Sequence, residues 1–142
     1  MNDEESLAHE GQSTMRSDPF IRATLRISEA ALAPDRWPAA LQSVTEVVGA
    51  LGVGSLLLNK QTGDVEWMSL AGLNLDVKDY IDYYGARDPY GPVLQAAPSG
   101  NWVQLFKCLP ETVLRSDEWY NGYILKGAIR HIIGTRLFDS PS

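Results

Sequence analysis

From Arg115 to Leu137 the chain reads Arg-Ser-Asp-Glu-Trp-Tyr-Asn-Gly-Tyr-Ile-Leu-Lys-Gly-Ala-Ile-Arg-His-Ile-Ile-Gly-Thr-Arg-Leu. This is a short amphipathic helix that stops at a glycine and passes into a β-branched strand. Ser116 has the hydroxyl to cap an unpaired backbone N–H, and Asp117 and Glu118 suit the positive end of the helix dipole. Trp119, Tyr120, Tyr123, Ile124 and Gly127 fall at helical spacing and form one bulky face. Gly127 is placed to take the left-handed conformation that ends a helix, and Ile129, Ile132, Ile133 and Leu137 then suit a strand. The rest of the chain reads as a half-shell that this helix and strand close.

One domain fits 142 residues, of which 44% are hydrophobic and 21% charged. The net charge of −6, with 12 scattered Lys and Arg residues, argues against direct contact with nucleic acid. Cys108 is the single cysteine, which excludes an internal disulfide and fits a reducing cytoplasm. The acidic N-terminus is no signal peptide, and the longest apolar stretch, Val47 to Leu58, is glycine-broken and too short to span a membrane.

Residues 1–17 read as a disordered acidic tail and 139–142 as a short C-terminal tail, leaving 18–138 as the domain. Asp18-Pro19 opens a first helix, in which Ile21, Leu25 and Leu32 recur on one face. A leading helix of this kind either packs on a second subunit or is a plain surface helix. Trp37 to Leu51 keeps the 3.6-residue period and stops at Gly52. Ser55–Asn59 and Val65–Ser69 flank Gln-Thr-Gly-Asp and predict a hairpin, with Trp67 on the face shared by Val65 and Ser69. Asp76 to Tyr84 is a short helix, the Pro- and Gly-rich run 86–100 is mostly loop with a turn of helix at Val93 to Ala96, Trp102 to Phe106 is extended, and Leu109 to Leu114 is a helical turn.

The segment Arg-Ser-Asp-Glu-Trp-Tyr-Asn, the following Ile-Leu-Lys-Gly and the Ile-Gly-x-x-Leu strand together resemble the N-terminal sensor domain of LuxR-type bacterial transcription regulators. Trp37-Pro-Ala-Ala-Leu41, Tyr83-Tyr84, Asp88-Pro89 and Leu109-Pro-Glu111 extend the match over about residues 18–138. The resemblance implies an α+β fold of the PAS/GAF kind, here a small antiparallel sheet of about three strands packed with four to six helices. Domains of this kind carry two further strands after the one at Ile132 to Phe138, and the regulators then carry a helix-turn-helix. Neither follows Phe138 here, so the expectation is a strand edge that a second chain covers.

If the fold is as resembled, several of Trp67, Tyr83, Tyr84, Trp102, Trp119 and Tyr120 converge between sheet and helices. Aromatic walls with polar tips suit a small-molecule pocket, and they equally make an ordinary core. Lactone receptors of the same wider group carry tyrosines before an Asp-Pro and a tryptophan about 14 residues later, a spacing that Asp88 and Trp102 match. The resemblance implies a ligand-facing role for Asp88. The other reading makes Asp88 the cap of the turn that Pro89 begins. Those receptors also have a tryptophan about 13 residues before the aspartate, where this chain has Leu75.

No catalytic set is apparent. His9 and His131 lack ligand-spaced partners for a metal, and Cys108 with His131 lacks an orienting acid. Gly49-Ala-Leu-Gly52-Val-Gly54 lies at the wrong end of a helix to bind an anion. The expectation is therefore a non-enzymatic, cytoplasmic sensor or regulatory domain, without cofactor, forming a homodimer and taking a small-molecule ligand. The alternative is a ligand-free dimerisation or protein-interaction module.

Overall fold

The computed structural model of the protein describes residues 18–139. The tail expected over residues 1–17, His9 within it, and all of 139–142 but Asp139 fall outside the described residues. The fold is mixed α and β, and it divides into two compact units: residues 18–57 with 67–73, and residues 58–66 with 74–139.

The first unit is built on a helical pair. Helix α1, Pro19–Leu32, starts where the Asp18 carboxylate accepts from the N–H of Phe20 (2.8 Å) and of Ile21 (3.2 Å), with Pro19 at the first helical position. It ends at Ala33, which is extended because Pro34 follows it. A single 3-10 turn, Pro34–Arg36, leads into α2, Trp37–Val48. Helix α2 stops earlier than its periodicity suggests. Gly49, at φ 67°, takes the left-handed terminating position that the sequence assigns to Gly52. Gly52 serves another need: a Cβ there would lie 2.6 Å from the Ala71 carbonyl oxygen and closer still to the Leu73 side chain.

Helices α1 and α2 pack on each other through small residues, with Ala23, Ala30 and Ala40 buried. An Arg22–Glu46 ion pair at 3.1 Å spans them. The Trp37 ring meets Trp67 edge-on at 5.7 Å.

Strands β1, Val53–Leu58, and β2, Val65–Ala71, form the expected hairpin. Along β2, Val65, Trp67 and Ser69 are more buried than Glu66, as period-2 alternation requires. The hairpin tip is closed by Asn59, whose side chain accepts from Gln61 N–H at 2.9 Å, and by Gly63 at φ 77°.

The second unit holds short helices around a two-stranded ribbon. Helix α3, Val77–Asp82, is capped by Asp76, and a 3-10 turn, Tyr84–Arg87, precedes α4, Tyr90–Ala96. Strand β3, Val103–Gln104, runs directly into α5, Leu105–Cys108, followed by α6, Glu111–Leu114. A last helical stretch over 118–127, here α7, contains the wide π-helical segment Tyr120–Ile124 and a closing 3-10 turn, Leu125–Gly127. Strand β4, Ile133–Gly134, pairs antiparallel with β3 in the register Val103↔Gly134 and Gln104↔Ile133. Leu105, Leu114, Trp119, Tyr120, Tyr123 and Ile124 are buried.

The structure corrects four expectations. Among the described residues the strands form two separate two-stranded sheets, not one sheet of about three strands. The final strand is shorter than the Ile132 to Phe138 run because β3 coils into α5 at Leu105 and offers no further ladder partner; single bonds from Leu105 N–H to Ile132 O (3.0 Å) and Gly100 N–H to Arg136 O (2.7 Å) flank it. The start of α7 is capped by Asp117, whose carboxylate accepts from Tyr120 N–H at 2.8 Å, while the Ser116 hydroxyl donates to Val113 O. Its end is made by Ala128 at φ 59°, not by Gly127, which is buried where a Cβ would lie 2.5 Å from Leu75 Cδ2.

Candidate functional site

The second unit gathers tyrosines from α3, the turn after it, α4 and α7 around one carboxylate. Asp88 sits in extended conformation just ahead of α4. Its Oδ1 accepts from the N–H of Tyr90 (2.8 Å) and of Gly91 (3.3 Å), groups that no helical carbonyl can reach. Its Oδ2 accepts from the Tyr80 hydroxyl at 2.6 Å. One side chain therefore caps α4 and ties it to α3. Burial pushes the Asp88 carboxyl above its ordinary value, and the bonds from Tyr80, Tyr90 and Gly91 oppose that rise. Burial, with the neighbouring Asp88 charge second, drives the Tyr80 phenol well above its usual range, so it stays a donor.

The rings stack outward from Tyr80. Tyr80 and Tyr123 stand 5.7 Å apart, and Tyr123 stacks on Tyr84 at 5.0 Å and 27°. Tyr83 meets Tyr84 edge-on at 4.9 Å. The Tyr123 hydroxyl donates to Asp76 O at 2.8 Å, and burial pushes its phenol up to about 12. Tyr84 donates to Gly122 O at 3.3 Å, where the absent Cβ leaves room for its ring. The Tyr90 hydroxyl donates to Val103 O and so pins α4 to the ribbon.

Beside the stacked rings lies an open depression of about 310 Å³, walled by Tyr84, Tyr123, Gly122 and Gly127, with Asp76, Asp79 and Lys126 at its polar side. A second depression of about 330 Å³ is lined by Leu105, Phe106, His131, Ile132 and Ile133. In it the His131 ring meets Phe106 edge-on at 5.2 Å. Cys108 is exposed, and no group of three or more His, Cys, Asp or Glu side chains suited to a metal occurs among the described residues. None of the described helices is long and apolar enough to cross a membrane.

The sequence-picked residues are distributed as follows. Tyr83, Tyr84 and Asp88 belong to the tyrosine cluster. Tyr83 is half-exposed, with the Arg87 guanidinium 3.7 Å above its ring and its hydroxyl on Glu118. Trp119 and Tyr120 are buried at 2% and 6% exposure; the Trp119 indole N–H has no hydrogen-bond partner among the described residues. Trp102 is 66% exposed, next to the ribbon. Trp67 lies in the first unit, on Trp37.

Three residues of the site are not among the expected site residues. Tyr80 and Tyr123 had a signal, since each falls on the apolar face of its helix, but nothing local marks their hydroxyls as partners of Asp88 and Asp76. Asn121 holds the chain before α7 by donating from its amide to Leu114 O, Arg115 O and Asp117 O at 2.7–3.0 Å. Its place in the Trp-Tyr-Asn motif was the available clue. Compared with known proteins, the chain matches no family model, no curated protein and no solved structure.

Proposed function

We propose that this chain is a non-enzymatic sensor or regulatory domain of the PAS/GAF-like kind found in LuxR-type regulators, which takes a small molecule against its tyrosine cluster and signals through dimerisation. The observation that supports the ligand is the depression beside the stacked Tyr84 and Tyr123 rings, which Asp76, Asp79 and Lys126 line on its polar side. Aromatic walls supply area and the charged groups orientation, which suits a small polar aromatic or amphipathic ligand. Binding there would bias the packing of α7 on α3, the step that a sensor needs.

Native mass spectrometry of protein purified from its own host tests this. A co-purified small molecule is expected, and adding it back should raise the melting temperature of the wild type but not of Tyr84→Ala. A bound molecule whose effect survives Tyr84→Ala would move the site elsewhere.

A second reading, a ligand-free interaction module, is favoured by one observation: both Asp88 oxygens are already engaged by Tyr80, Tyr90 and Gly91. A dimer carrying no extra mass would support it.

A further inference from the structure

Helix α1 meets different surroundings on its two sides. Ala23 and Ala30, seven residues apart, are 6% and 0% exposed. Ile21, Leu25, Ser28 and Leu32 follow one another at steps of four, three and four residues, the spacing of a seam along which two helices pair. At 3.6 residues per turn this seam lies on the side of the helix away from the two alanines. Leu25 is 54% exposed and Leu32 90%. A single exposed leucine needs no explanation, but a heptad-spaced row in which Leu25, Ser28 and Leu32 are exposed and Ile21 half-buried does. The Arg22–Glu46 ion pair fixes the start of α1 beside the last turn of α2.

We propose that α1 pairs antiparallel with α1 of a second copy of this chain, about a two-fold axis that crosses the seam between Arg26 and Ile27. That axis sets Leu25 against the partner's Ser28, large against small, and Ile21 against the partner's Leu32, two apolar side chains at each end. Charge decides the direction. The antiparallel register brings Arg22 toward the partner's Glu29 at the flank of the seam, and the two-fold repeats the contact. Both groups already hold exposed intramolecular ion pairs, Arg22 with Glu46 and Glu29 with Arg36, so the pairing joins them into a network. A parallel pair sets Thr24 beside the partner's Glu29 and gains no opposite charge. The proposal rests only on the dimerisation half of the functional reading, and it does not depend on a ligand.

Sedimentation of the full chain at micromolar concentration is the first measurement. The wild type is expected to be a dimer, and Leu25→Glu, an exposed position, should weaken it by at least about tenfold in Kd with unchanged circular dichroism. A dimer indifferent to Leu25→Glu overturns this interface but leaves the dimerising function standing. A monomeric wild type whose melting temperature falls in Leu25→Glu would put a segment of the same chain over the seam, and overturns the pairing. Direction is read by oxidative cross-linking in a Cys108→Ser background. The double variant Ile21→Cys/Leu32→Cys should cross-link between copies, since within one helix the two sites are roughly 16 Å apart at 1.5 Å per residue. Leu32→Cys alone should not. Cross-linking by Leu32→Cys alone would make the pair parallel and overturn the antiparallel register.

Discussion

Asp88 illustrates how a residue chosen for one role acquires another from its neighbours. The Asp-Pro dipeptide suggests a turn cap, and the cap is present, but the second oxygen is held by Tyr80 from eight residues earlier. Its raised pKa has a consequence for stability. A carboxylate whose folded pKa lies above its unfolded value favours the fold when protonated, and that contribution is lost as pH rises through the interval above the ordinary value of 3.8. In urea melts at a series of pH values, the stability of the wild type relative to Asp88→Asn should therefore decline as pH rises from acid toward neutral. Groups shifted the other way, such as Asp139 beside Lys60, are common to both proteins and cancel. A difference flat with pH would mean that Asp88 is solvated. Trp119, at 2% exposure, makes a second residue-level prediction: Trp119→Ala should cost about 3–5 kcal/mol in urea melts, the usual cost of removing a buried aromatic ring.

At the scale of elements, helix starts were easier to read than helix ends. Asp18-Pro19 and Asp76 cap as their chemistry dictates, because a short acceptor ahead of a helix acts within two or three residues. Ends depend on which glycine is free to turn. Gly52 is committed to close approach of the Ala71 carbonyl, so Gly49 terminates α2; Gly127 is committed to packing beneath Leu75, so Ala128 takes the left-handed conformation after α7. An alanine there carries a steric cost of roughly 1–2 kcal/mol, which glycine avoids at some cost in chain entropy. Ala128→Gly should thus stabilise the protein by about 0.5–1 kcal/mol, whereas Gly127→Ala should destabilise it; melts of the two single variants check both. The opposite order of stabilities would restore Gly127 as the terminator.

At the scale of the whole molecule, the sequence by itself determined the mixed α and β class, the first two helices, the hairpin around Gln-Thr-Gly-Asp and the helical character of 118–127. These follow from periodicity, capping and turn chemistry, which act over a few residues. It also put Tyr83, Tyr84 and Asp88 among the groups of interest, through the resemblance that Tyr83-Tyr84 and Asp88-Pro89 carry. Only the tertiary structure decided that strands pair as two two-stranded sheets, since pairing depends on where β3 coils into α5 and on Gly134 admitting Tyr90 and Leu94. It decided that Tyr80 and Tyr123, not Trp102, accompany Tyr84 and Asp88. It also decided that α1 turns its alanines inward and its leucines outward. A periodic pattern shows that a helix has two faces; burial against a partner elsewhere in the chain chooses between them, and here the close approach of α2 selects the small residues.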